Sequence, residues 1–293
     1  MDINFELYKV FYYVANSLSF SEASKHLYIS QSAVSQSIKT LEKKLDQQLF
    51  VRSTKKVTLT PAGEILLKHI APAVNLIQRG ENQISDSQSF GQLHICASDT
   101  ICRYFLVPYL KQFHIQFPGV PIKVTNATSL HAADLLEEGL VDIAVSNYPN
   151  SKLNQSYITK YVKYFRDVFI ANVNYFDFTT QELSLRDLQT YPLLMLSRNS
   201  TTSEYLKKIF IQNQLELIPD IELNSNDLLI DLANIGLGIA CIPDYCLTNH
   251  PQEIYTLRIK EEIPMRTIAV AVNPGLPLSA SAQAFLELLP EAD

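Results

Sequence analysis

Between Ser19 and Leu45 two helical patterns stand only three residues apart, and no other feature constrains the front of the chain as tightly. Ser19-Phe20-Ser21-Glu22 has the form of a capping box, with Ser19 at the N-cap and Glu22 at N3. The short helix it opens turns Phe20, Ala23 and Leu27 inward. Tyr28-Ile29-Ser30 makes the turn, and Ser30 caps a helix from Gln31 whose apolar face is Val34, Ile38, Leu41 and Leu45. Ahead of both, Leu7, Val10, Phe11, Val14 and Leu18 keep the spacing of a first amphipathic helix. The last of the three shows Gln31, Ser32, Ser35 and Gln36 on its outer face, with Lys39 and Lys43 further along. Short hydrogen-bonding groups at the entering end, with cations beside them, suit a helix that reads the major groove of double-stranded DNA. An ordinary three-helix bundle with a polar face fits the same pattern.

The next forty residues separate these readings. Leu49-Phe50-Val51-Arg52 and Val57-Thr58-Leu59-Thr60 are short β segments joined by a turn carrying Lys55 and Lys56. Such a wing places Arg52, Lys55 and Lys56 at phosphates or in the minor groove. Thr60-Pro61 supplies an N-cap and a proline at N1, the start of a long helix. Along it Leu66, Ile70, Ala73, Ile77 and Ile84 form a coiled-coil seam, with Gly80 filling one gap, so this is expected to be a dimerisation helix. A dimer carries two recognition helices to an operator with dyad symmetry. Charge agrees: residues 1–60 hold eight Lys/Arg against five Asp/Glu, whereas residues 90–293 hold 14 against 22.

The run FSEASKHLYISQSAVSQSIKTLEKKLDQQLFVRSTKKVTLTPAG, Phe20 to Gly63, resembles the signature of LysR-type transcriptional regulators. The resemblance implies that Ser32, Ser35 and Gln36 face base edges and that Arg52 contacts DNA from the wing. It also implies a homotetramer, with RNA polymerase as a further partner. Two residues depart from the family pattern. Asp46 stands where Gly is usual, and Pro72, inside the linker helix, is expected to kink it.

From Gly91 onward short apolar strands alternate with amphipathic helices, the α/β pattern. Strands are expected at Leu93–Ala97, Ile122–Asn126, Val141–Val145, Val168–Val173, Leu193–Leu196 and Thr267–Val272. Helices are expected through Tyr104, Leu110 and Phe117, after Thr128-Ser129, through Phe210, before Gly236 and from Ser279. Two α/β subdomains joined by crossing strands leave a cleft between them. ASDTICRYFLVPYL, EEGLVDIAV, LSLRDLQTYPLLML and GLGIACIP are similar to the LysR-type effector domain, which has the fold of type 2 periplasmic binding proteins. The expected division is therefore a winged helix-turn-helix over 1–60, a linker helix over 61–88 and an effector domain over 89–293. Within the last, subdomain I covers about 89–160 and 267–293, and subdomain II about 161–266.

Ser98, Asp99 and Thr100, then Thr128 and Ser129, then Ser200, Thr201 and Thr202 all fall where a strand hands over to a helix. Hydroxyls beside free helix N–H groups make anion sites; equally, each hydroxyl can simply cap its own helix. In the family the Ser/Thr after the first effector-domain strand contacts ligand, which singles out Ser98 and Thr100. The expected effector is a small anion, a carboxylate or an inorganic oxyanion, although the Asp99 carboxylate must then point away.

No cofactor or metal is expected. Cys96, Cys102, Cys241 and Cys246 lack metal or disulfide spacing and read as buried free thiols. HExxH, GxSxG and Walker-type loops are absent, and the six His residues are scattered, so an enzyme is disfavoured. A solute-binding protein would share the cleft but lack the first 88 residues and carry an export signal. Met1 onward, with Asp2 and Glu6, does not read as such a signal, and no apolar run approaches the roughly 20 residues of a membrane span, so the expectation is a cytoplasmic protein.

Overall fold

The computed structural model describes residues 3–52, 56–85, 91–248 and 251–292, apart from the side chains of 52, 79 and 82–85. The chain divides into two compact units, Met1–Ser87 with Glu137–Leu140, and Gln88–Leu136 with Val141–Asp293.

The first unit opens with α1 (Phe5–Ser17), α2 (Phe20–Leu27) and α3 (Gln31–Leu45). Strands β1 (Phe50–Arg52) and β2 (Val57–Leu59) pair antiparallel as the wing, and α4 (Pro61–Ser85) follows. Phe11, Val14, Phe20, Ala23, Val34, Ile38 and Leu41 close one core, sealed by Phe50, whose ring lies 5.5 Å from Phe11 and 5.9 Å from Phe20. Leu18, Tyr28 and Asp46 end the three helices in the left-handed conformation, at φ of 47°, 54° and 51°. Leu18 is thus an exposed C-cap, because the helix stops one residue before it could turn inward. Asp46 adopts the conformation for which Gly is the usual residue, and its N–H still reaches the Glu42 carbonyl. The expected capping box at Ser19 is half formed. Ser19 Oγ accepts from the Glu22 N–H at 3.2 Å, but the Glu22 carboxylate is taken by Lys25 at 2.7 Å and the Ser19 N–H by Ser17 Oγ. Glu42 fixes the entry to the wing, its carboxylate accepting from the N–H groups of Leu49 and Phe50. Gly63 is required there, since a Cβ would meet the Leu49 carbonyl oxygen at 2.2 Å. The helix α4 runs from Pro61 to Ser85 with Pro72 inside it.

The second unit begins with β3 (Leu93–Ala97), α5 (Asp99–Ile101), a π turn over Cys102–Leu106 and α6 (Val107–Gln116). Next come β4 (Ile122–Asn126), α7 (Ser129–Glu137), β5 (Ile143–Tyr148), β6 (Ile158–Phe165) and β7 (Asp167–Asn172). Then follow β8 (Glu182–Leu183), α8 (Leu185–Leu188), β9 (Leu193–Leu196), α9 (Thr201–Gln212), β10 (Ile221–Leu223) and α10 (Asn226–Asn234). The last are β11 (Ile239–Pro243), β12 (Ile254–Thr256), β13 (Arg258–Ile259), β14 (Arg266–Ala271) and α11 (Ala280–Leu288). Two five-stranded sheets result, in the orders β4-β3-β5-β14-β6 and β10-β9-β11-β7-β12. In the first, β3 is parallel to both neighbours, while β14 runs antiparallel between β5 and β6.

Three expectations need correction. The sequence changes subdomain near Tyr161, yet β6 pairs with β14 as far as Phe165 opposite Arg266, so the crossing lies at Arg166. The strand expected over Val141–Val145 is Ile143–Tyr148, because Val141 packs in the core ahead of it. The helix through Tyr104 is interrupted by the π turn and ends at Gln116.

Candidate functional site

In the first unit the buried stripe of α3 fixes which residues face outward. Ser30 Oγ accepts from the Ala33 N–H at 3.2 Å and lies 2.9 Å from Ser32 Oγ. Ser30, Gln31, Ser32, Gln36 and Lys39 are exposed on the outer face, and Ser35 is half-buried. Lys56 is exposed at the foot of β2. The backbone of Arg52 pairs with Val57, while its side chain and the whole of Lys55 lie outside the described residues. On α4, Leu66 and Ile70 pack against the core of their own unit, Ala73 is half-buried, and Ile77 is exposed; the Ile84 side chain lies outside the described set. Leu66 and Ile70 are thus partly covered within their own chain, while Ile65, 62% exposed, faces outward beside them.

In the second unit, a cavity of about 270 Å³ brings together Ser98, Asp99, Thr100, Thr128, Ser129, Ser200, Thr201 and Thr202, every residue named from the strand-to-helix hand-overs. Asn126, Ala127, Asn147, Leu196, Asn224 and Asn226 complete the wall, and sequence reasoning missed all six. Their signal was position: Asn126 ends β4, Asn147 is near the end of β5, and Asn224 and Asn226 follow β10. In open α/β sheets ligands sit beyond the carboxyl ends of strands.

The hydroxyls are held in a consistent sense. Ser98 Oγ accepts from Ile101 N–H, Thr128 Oγ1 from His131 N–H and Ser200 Oγ from Ser203 N–H, each a helix cap. Ser129 Oγ accepts from Asn147 N–H at 3.2 Å, and Thr100 Oγ1 from Asn226 Nδ2 at 2.8 Å. Thr202 Oγ1 accepts from Arg266 Nη1 at 3.2 Å. Six hydroxyl oxygens thus receive a protein N–H, which leaves each O–H proton to be donated elsewhere. Among the described lining residues none is Lys, Arg or His, and the one charged group is Asp99, exposed and 3.4 Å from Asn126 Nδ2.

Behind Thr202 lies a buried ion pair. Arg266 Nη1 donates to Asp167 Oδ2 at 2.8 Å, and neither side chain is exposed. The guanidinium carbon is 4.8 Å from the Tyr205 ring and 5.2 Å from that of Phe165. Among the described residues Asp167 Oδ1, Arg266 Nε and Arg266 Nη2 have no hydrogen-bond partner. Burial pushes the Asp167 carboxyl up, against the pull of Arg266. Tyr104 donates to Asp227 Oδ1 at 2.6 Å; burial and that carboxylate push its phenol up to about 12.

The four cysteines are unpaired, with Cys102 half-buried and the others buried. Burial pushes Cys96 up to about 12, Cys102 up to about 11, and Cys241 and Cys246 upward as well, so all four are neutral thiols near pH 7. Among the described residues no group of acidic, His or Cys side chains could hold a metal ion, and no helix is long and apolar enough to cross a membrane.

A winged helix-turn-helix and a two-sheet α/β body with an internal polar cavity define a DNA-binding protein that also takes a small ligand. Residues 5–64 match the bacterial regulatory helix-turn-helix proteins of the lysR family, and residues 86–293 match the LysR substrate binding domain. The chain belongs to the LysR family: it is a DNA-binding transcription regulator with an effector-binding domain. It is 27% identical to a probable RuBisCO transcriptional regulator of Gracilaria tenuistipitata var. liui, over 91% of this chain and 89% of that one. With the transcriptional activator CmpR of Synechocystis sp. it shares 26%, over 96% and 93%. These relatives are regulators, not enzymes. The fold is shared with a full-length variant of OxyR from Pseudomonas aeruginosa (TM-score 0.66, 20% identity, 98% of this chain and 93% of that one). It is shared too with full-length CbnR complexed with its target DNA (0.62, 19%, 98% and 99%). The regulatory domain of Synechocystis CcmR in complex with 2-PG matches 67% of this chain and 94% of its own (0.61, 21%).

Proposed function

We propose that this regulator binds a dyad-symmetric operator as a homodimer, assembling further to a tetramer, and that a small anion in the cavity sets its activity. The observation that carries the anionic reading is the hydrogen-bond accounting at the cavity wall. Hydroxyls whose oxygens already receive a protein N–H keep an O–H to donate, which suits a ligand rich in acceptors. The N-termini of α7, α9 and α10, beginning at Ser129, Thr201 and Asn226, add partial positive charge at the same wall. The volume fits a molecule of metabolite size, and the anionic 2-PG bound by CcmR supports the same class. On this reading Ser98, Thr100, Thr128, Ser129, Ser200, Thr201 and Thr202 are effector residues. Ser30, Gln31, Ser32, Ser35, Gln36 and Lys39 face the major groove, and Arg52, Lys55 and Lys56 the DNA backbone. Residues 1–60, 61–88 and 89–293 divide these roles, the α4 helix joins the protomers, and the protein acts in the cytoplasm on transcription by RNA polymerase.

Titration calorimetry on the full chain tests the effector class, with sulfate, phosphate and acetate set against neutral isosteres. Binding confined to neutral or cationic molecules would sink the reading. The DNA half is tested by retaining fragmented DNA from the protein's own source under excess competitor at near-physiological salt. A few intergenic fragments sharing an inverted repeat are expected.

A further inference from the structure

Among the described residues none that lines the cavity is a cation, yet a guanidinium lies directly behind Thr202. Thr202 lines the cavity, and its oxygen accepts from Arg266 Nη1 at 3.2 Å. The same nitrogen donates to Asp167 Oδ2 at 2.8 Å. One guanidinium nitrogen thus bridges the cavity residue and the carboxylate, and of the two charged groups it is the guanidinium that bonds Thr202. The Tyr205 and Phe165 rings lie 4.8 and 5.2 Å from the guanidinium carbon, and burial keeps water from screening it. Arg266 opens β14 and Asp167 opens β7, the strands on either side of the crossings between the two sheets. A fully buried ion pair with three unpaired polar atoms is poor value for stability alone, since apolar residues of similar volume commonly do as well.

We propose that Arg266 is the positioning residue that gives the cavity its preference for anions. It occupies the Thr202 oxygen from behind, which turns the hydroxyl proton toward the ligand, and it supplies the positive pole that the wall lacks. The inference rests on the anionic reading above. It adds that charge selection comes from a residue that touches no ligand, and that an occupant is tied through Thr202 to both crossing strands.

The test compares sulfate with its neutral isostere dimethyl sulfone by titration calorimetry on the full chain. Wild type is expected to prefer sulfate. In the double variant Asp167→Leu with Arg266→Met, which removes both charges without stranding either, sulfate affinity should fall about tenfold or more while dimethyl sulfone is unaffected. Arg266→Lys, which keeps the charge, should restore part of the preference. A folded double variant whose sulfate preference stays within about twofold of wild type would overturn the proposal. Should that variant not fold, Asp167→Asn with Arg266→Gln, which removes both charges while keeping hydrogen-bonding groups, gives the same decision: a tenfold fall in sulfate preference supports the role and an unchanged preference refutes it. Wild type with no preference for sulfate would instead refute the anionic reading, a result distinct from a preference that survives the variants.

Discussion

Ser30 and Ser200 occupy the same local position in the two units. Each is a helix N-cap in extended backbone, and each accepts from the N–H three residues on, at 3.2 and 3.1 Å. Their surroundings differ. Ser30 is exposed at the head of a helix whose neighbours Gln31, Ser32 and Gln36 also face solvent, an open surface suited to a polymer. Ser200 is half-buried, and three further strand-to-helix turns close around it into about 270 Å³. On the proposed reading one capping device serves a long polyanion in one unit and a small ligand in the other. If that reading holds, local chemistry sets the sign of the partner and tertiary enclosure sets its size.

The largest expected effect is in the effector unit. Asp167→Ala leaves Arg266 buried without its counter-charge and should cost about 3–5 kcal/mol of that unit's stability in urea unfolding. A loss below about 1 kcal/mol would mean the pair is not charged. In the DNA-binding unit, Ser35→Ala should remove about 1–3 kcal/mol of discrimination between operator and mismatched DNA, while non-specific affinity stays near wild type in anisotropy titrations. Arg52→Ala should do the reverse, weakening all sequences and lowering the salt slope by about one. If the two variants behave alike, the division between reading and anchoring residues fails. Ser30→Ala and Ser200→Ala should each cost about 1 kcal/mol of stability as lost caps. The smallest effect sharpens the contrast most. Ser200→Gly should cost only a few tenths of a kcal/mol in stability, yet still lose anion affinity. Unchanged affinity in that variant would leave Ser200 as a cap and nothing more.

Residues whose neighbours decide their role were legible in the sequence. Ser30 and Asp46 needed only the local chain, and the Ser/Thr clusters were found because a hydroxyl after an apolar strand marks a helix start wherever that helix packs. The cavity asparagines were harder, since Asn126, Asn147 and Asn224 matter by lying at strand ends that only the sheet order brings together. Arg266 was not legible. It reads as the polar edge of an apolar strand, and its partner Asp167 lies 99 residues away. The α4 seam is legible only in part: 3.5-residue spacing shows that Leu66 and Ile70 need apolar neighbours, but not how much of that cover comes from a second chain and how much from the core beside them.

The placement of β14 between β5 and β6 has a consequence for the order in which this protein becomes competent on the ribosome. Residues 5–64 contain every strand and helix of the winged head through the start of α4, so that module can close while most of the chain is still unmade. The first sheet of the body cannot, because its fourth position stays empty until Arg266–Ala271 have emerged, more than a hundred residues after β5. The cavity residues Ser98, Thr128 and Asn147 sit on that sheet's side, and Arg266 itself belongs to the late strand. A nascent chain therefore gains its hold on DNA before its means of being instructed.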